Sequence, residues 1–187
     1  MIEDVISDFK RYYVSAPLST QKVIRLIWDT PGLKAILIYR LGRCLRSLIK
    51  RPIWWPLVLL LAPIYWLLAS YIRFAYDIIL KQSAEIGAGL FIGHLGGIRL
   101  RNCRLGTQCS IRQEVCLEPL AGGTEGPIVG DHVWIGAHAR IIGPYIIANG
   151  ATVGAGVRVS QNLEPRCLYI GNPARVVQKD FDNSSFI

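Results

Sequence analysis

From Ile86 onward an aliphatic residue returns every sixth position, and few architectures can accommodate so short a period. The series runs Ile86, Ile92, Ile98, slips by one to Leu105, Ile111, Leu117, and resumes at Val129, Ile135, Ile141, Ile147, Val153 and Val159. Glycine follows the aliphatic residue at Gly87, Gly93 and Gly136. A fixed repeat of this length is the mark of a parallel β-helix, in which each hexapeptide is one short strand plus a turn. The aliphatic side chains point into a triangular prism, and residues about eighteen apart stack at the strand spacing of about 4.8 Å. On that spacing Ile92 lies beneath Ile111, then Val129, then Ile147. His94, Gln113, Asp131 and Asn149 then share one outward corner. The predicted fold class is mainly β, with a β-helix over residues 81–177, a helical region over 1–80 and a tail over 178–187.

The first eighty residues carry a different signal. Hydrophobic residues make up 51% of the chain, and the mean hydropathy of +0.33 is high for a soluble protein. Much of this comes from Pro52 to Ile72, which contains no charge and lies between Lys50-Arg51 and Arg73. The run is just long enough to span a bilayer as a helix. Pro56 and Pro63 and the basic flanks favour instead a re-entrant or interfacial segment at the cytoplasmic face of a membrane, and a helix buried in an oligomer is the third option. Trp54, Trp55, Tyr65, Trp66 and Tyr71 suit either a headgroup layer or an ordinary core. Residues 20–49 read as amphipathic and helical, broken at Pro31-Gly32.

The formal net charge of +8 fits anionic lipid headgroups. No basic stripe interleaved with exposed aromatics points to nucleic acid. The opening Met1-Ile2-Glu3-Asp4 lacks the basic start of a secretory signal, so the chain is expected to stay inside the cell. Five cysteines without a CxxC pair indicate neither a disulfide framework nor a metal site.

His94 lies in GLFIGHLGGI, where Gly93, Gly96 and Gly97 let backbone approach a ligand closely. Glu114, one coil on, is a candidate to orient its imidazole, as is a backbone carbonyl. On the residues alone, a solvated corner histidine is the favoured account of His94, and His132 and His138 read as surface residues.

The stretch from Ser83 to Val177 resembles the hexapeptide-repeat acyltransferases with a left-handed β-helix, in their serine acetyltransferase-like branch. Three motifs carry the resemblance in order: GLFIGHLGGI, PIVGDHVWIGAHARIIG and YIGNPARVV. The N-terminal PGLKAILIYRLGRCL is similar to the helical segment of that branch. The resemblance implies a homotrimer with acetyl-CoA lying between neighbouring prisms and His94 as general base for direct acyl transfer. It implies cofactor contacts at Gly136, Ala137, Gly154 and Ala155, with Arg175 and Lys179 near a CoA phosphate. An acyl-enzyme on Cys116 is not expected, because that residue lies at the far end of the stacked hexapeptide from His94.

Departures from the family pattern bear on the acceptor. Serine-specific members carry Arg-His where this chain has Glu125-Gly126, and an acidic Glu125 would repel an amino-acid carboxylate. Gln113, Glu114 and Glu125 are therefore read as binding an acceptor hydroxyl. The leading expectation is O-acetylation of a sugar hydroxyl on a surface polysaccharide or lipid-linked glycan. A divergent serine acetyltransferase is the alternative within enzymes, and a non-catalytic trimeric membrane scaffold is the alternative outside them.

Overall fold

The computed structural model describes residues 2–13, 20–93 and 96–186. Four helices precede the strands: α1 (Ile2–Tyr12), α2 (Thr20–Asp29), α3 (Pro31–Ile49) and α4 (Trp55–Tyr76). Among the described residues, fourteen short strands then wind into a prism with three parallel faces, and a fifteenth folds back antiparallel. Face A holds β1 (Ile79–Leu80), β4 (Arg99–Leu100), β7 (Cys116–Glu118), β10 (Arg140–Ile142) and β13 (Arg158–Val159). Face B holds β2 (Glu85–Ile86), β5 (Arg104–Leu105), β8 (Ile128–Val129) and β11 (Ile146–Ile147). Face C holds β3 (Phe91–Ile92), β6 (Ser110–Ile111), β9 (Trp134–Ile135), β12 (Thr152–Val153) and β14 (Leu168–Ile170), with β15 (Arg175–Gln178) added antiparallel at its end.

All twelve aliphatic residues of the six-residue series are buried, which confirms the period. The stacking differs from a uniform eighteen-residue coil. Ile111 pairs with Ile135, not Val129, and Val129 sits between Leu105 and Ile147. The cause is the loop after β7: the coil from Ile111 to Ile135 takes 24 residues, whereas that from Ile135 to Val153 takes 18. Six extra residues shift the phase by one face, because each hexapeptide is one face of the prism.

The helices close the open end of the prism. The first coil has no strand beneath it, so its ladder edge would leave backbone groups unpaired and ready to template another strand. Side chains of α1 and α3 supply the missing partners. Tyr39 donates its hydroxyl to the Ala84 carbonyl at 2.7 Å, and Arg40 donates to the Ile86 and Gly87 carbonyls at 2.8 and 2.6 Å. Asp8 accepts the Gly89 and Leu90 N–H groups at 2.8 and 3.0 Å, and Tyr12 both accepts from the Ile92 N–H and donates to its carbonyl. Asp8 and Arg40 are themselves paired at 2.9 Å, both buried. Burial pushes the Asp8 carboxyl up, while Arg40 and the two N–H donors pull it back. Gly32 lets α3 approach this closely, since a Cβ there would meet the Ile92 carbonyl oxygen at 2.5 Å.

Most of the Pro52–Ile72 run forms one helix. α4 continues through Pro63 from Trp55 to Tyr76, and Pro56 sits in its first turn, where a missing N–H leaves no helical bond unmade. α4 packs antiparallel to α3 and rests on the prism through Tyr65, whose hydroxyl accepts from Gln82 at 3.2 Å. Arg40→Met would strand a buried carboxylate and is expected to lower stability by about 3–5 kcal/mol in a urea melt. Ile135→Ala, at the centre of the prism, is expected to lose about 2–5 kcal/mol in the same measurement.

Candidate functional site

The corner where face C turns into face A collects most of the predicted site. Gly93 and Gly96 head it, Gln113 and Glu114 lie one coil up, Gly136 and Ala137 the next, and Gly154 and Ala155 the next. His94 lies outside the described residues. The last position of the corner is left-handed in every coil, with φ of 78° at Gly97, 57° at Glu114, 60° at His138 and 69° at Gly156. Two coils fill this slot with glycine, which adopts it freely, and two with side-chain-bearing residues that disfavour it. Those two meet: His138 Nδ1 lies 2.9 Å from Glu114 Oε2. His138 is the surface residue the sequence suggests, 58% exposed, and it faces Glu114 at this corner. A signal for it exists in the sequence, since it interrupts a phase that Gly97 and Gly156 occupy, but that phase is visible only once the long coil is allowed for.

A groove of about 900 Å³ runs beside this corner and along the outer side of face A. Gly96, Gly97, Gln113, Glu114, Arg99 and Arg140 line it, with Tyr76 and Asp77 at its lower end. Arg99, Cys116, Arg140 and Arg158 are in register on face A, so guanidinium groups recur up its side. Asp77 engages Arg99 at 3.4 Å, while no carboxylate lies against Arg140 among the described residues. Cys116 lines the same groove and is not remote from the corner. Burial, reinforced by Glu118, pushes its thiol up to about 11, which suppresses the nucleophilic thiolate.

Three predicted residues lie elsewhere. Asp131 and Asn149 occupy the corner between faces B and C. There Asp131 accepts from the Thr107 N–H and hydroxyl at 2.6 and 2.9 Å, and Asn149 accepts from the Asp131 N–H at 2.9 Å. These bonds hold the Asp131 carboxyl below the usual carboxylate range. They are rungs of the winding, displaced from the His94 phase by the long coil. Glu125 lies at the third corner, between faces A and B, in a groove that shares no lining residue with the first. Within one chain, then, Glu125 does not join Gln113 and Glu114.

The small residues of the first corner fit an extended amide-bearing ligand. Gly136 is demanded by coil stacking, because a Cβ would meet the Ala155 nitrogen at 2.6 Å. The ladder takes up the N–H groups of Gly136 and Gly154, donated to the Val153 and Tyr169 carbonyls. Those of Ala137 and Ala155 have no acceptor among the described residues and are open to a ligand. Arg175 is exposed on β15, whereas Lys179 is shared with Glu164 at 3.6 Å. The described residues contain no cluster fit to hold a metal. Glu114→Ala is expected to change stability by less than about 1 kcal/mol in a thermal melt, since the pair with His138 is exposed. Iodoacetamide at neutral pH should alkylate Cys116 at least about tenfold more slowly than free cysteine, read by peptide mass spectrometry.

No protein-family model matches the chain. Serine acetyltransferase of Escherichia coli K12 is 33% identical over 122 residues, covering 63% of this chain and 45% of that protein. Serine acetyltransferase of Helicobacter pylori 26695 is 28% identical over 180 residues, covering 90% and 96%. The solved structure of soybean serine acetyltransferase complexed with serine superposes with a TM-score of 0.71 at 30% identity, covering 93% of this chain and 68% of that one. The matched segment spans about half the length of the first curated relatives, 49% of the Mycobacterium tuberculosis protein and 45% of the E. coli protein. With 93% of its length matched to the soybean enzyme at 30% identity, the chain belongs to the hexapeptide-repeat acyltransferases of the serine acetyltransferase-like branch, and its prism is their left-handed parallel β-helix.

Proposed function

We propose that this protein is an O-acetyltransferase that takes its acetyl group from acetyl-CoA, with His94 as general base. The observation that carries the reading is the corner itself: one line of coils holds Gln113, Glu114, His138 and the open N–H groups of Ala137 and Ala155, in the phase headed by Gly93 and Gly96. The neutral imidazole accepts the proton of an acceptor hydroxyl as its oxygen attacks the thioester carbonyl. It then returns that proton to the departing CoA thiolate. Ala137 and Ala155 donate to amide carbonyls of the CoA arm, and Arg175 meets a phosphate. A neighbouring copy in a homotrimer closes the groove from outside.

For the acceptor, the relatives named above favour serine over a sugar. Arg140, which lines the groove without a carboxylate partner among the described residues, can meet an acceptor carboxylate, although Asp77, Glu114 and Glu118 line the same groove. The repulsion expected from Glu125 does not act there within one chain, since that residue lines a different groove. A sugar hydroxyl remains the second reading. What favours it is the acceptor-rich pair Glu114 and His138, which can bind hydroxyls without any carboxylate.

Release of CoA thiol from acetyl-CoA, followed with L-serine and with free sugars as acceptors, tests both. Turnover is expected with serine, and His94→Ala is expected to lower it by about 10²–10⁴-fold while leaving the melting temperature unchanged. Turnover with sugars alone would select the second reading. An intact wild-type fold that releases no CoA with any hydroxyl acceptor would leave the non-catalytic scaffold.

A further inference from the structure

We propose that α4 lies flat in the interface of an anionic phospholipid membrane and docks the protein there by one apolar stripe rimmed with cations. Acetyl transfer plays no part in this argument, so the two proposals stand or fall separately. Leu59, Leu60, Trp66, Leu67 and Phe74 recur at helical spacing along the outer side of α4. They are 76%, 65%, 70%, 65% and 85% exposed, and only Val58 and Ile72 of the helix are buried. Trp28 of α2, 78% exposed, flanks the stripe across a shallow groove it shares with Leu68 and Tyr71. A contiguous apolar surface of this extent marks an interaction site.

Charge selects the partner. Residues 20–76 contain nine Lys and Arg and a single acid, Asp29, so this segment alone carries a charge equal to the whole chain's +8. Arg25 uses Asp29 and Arg40 uses Asp8. Lys22, Arg43, Lys50, Arg51 and Arg73 are exposed, and no carboxylate faces them among the described residues except as paired above. A second copy docked stripe to stripe would bring this excess against itself. An anionic bilayer surface offers both an apolar layer for the stripe and negative headgroups for the rim.

Geometry selects the mode. α4 is about 33 Å long, enough to cross a bilayer. Yet Tyr65, at its middle, is bonded to Gln82 of the prism, its start is held by the Trp55 bond to the Ile49 carbonyl, and its end runs straight into β1. These contacts tether α4 to the protein at its start, middle and end, so it lies along the protein with its outer stripe turned to lipid.

Flotation of the full chain with vesicles of phosphatidylcholine and phosphatidylglycerol in equal parts tests the proposal, with pure phosphatidylcholine vesicles as the comparison. Binding is expected only with the anionic vesicles, together with a blue shift of Trp fluorescence and loss of binding at high salt. Lys50→Gln with Arg51→Gln is expected to weaken binding about 30-fold, from roughly fivefold per basic residue. Leu67→Gln with Phe74→Gln should weaken it further while leaving the melt unchanged, because both side chains are exposed. Failure of the wild type to float with anionic vesicles would overturn the proposal. So would an oligomer in vesicle-free solution that this apolar pair of substitutions dissociates, since the stripe would then belong to a second copy.

Discussion

The edge of the first coil is the constraint around which the molecule is organised. A β-helix leaves a full set of ladder groups unpaired at each end, and this chain settles the lower end with side chains in place of strands. Tyr12, Tyr39, Arg40 and Asp8 each bond to backbone atoms between Ala84 and Ile92, in the places where a preceding coil would have bonded. The upper end is treated differently, by folding β15 back antiparallel onto β14. Because the Asp8–Arg40 pair is buried, its desolvation is offset only while both partners and the four backbone contacts are in place. The cap therefore forms as a unit, and it fixes α3 and, through α3, the position of α4.

The winding then determines what meets what. Coils of 18 residues repeat one corner above another, while the 24-residue coil after β6 moves every later position one face round. That single shift separates Asp131 and Asn149 from the site and brings His138 over Glu114. The left-handed slot at this corner links backbone geometry to chemistry: its side chains project from the outermost point of the turn, beside the groove with Arg99 and Arg140.

Much of this was legible in the sequence. Every residue of the six-residue series is buried, because burial of those side chains is the dominant free energy, whereas Leu100, which pairs with Leu117 on face A, lay outside the series. The break at Pro31-Gly32 likewise separated α2 from α3. Gly136, Ala137, Gly154 and Ala155 fell on one corner with Gln113 and Glu114 because motif matching follows local order and is indifferent to coil length. Stacking by a fixed eighteen residues failed for the opposite reason: it sums every insertion, and the loop after β7 adds six. Asp8, with no motif around it, carried no sign that it would sit 81 residues away against Gly89. Neither did α4 disclose that it would continue unbroken through Pro63, a residue that argues for a break.

The closed lower edge also bears on how the molecule is assembled. In a solenoid each coil adds to the face its predecessor presents, so growth needs a starting template. Here that template is made by α1 and α3, which precede the coils in the chain, so the coils follow it in the order of synthesis. The chain can thus wind up from its capped end while it is still being made, with no exposed strand waiting at the bottom for a stray partner.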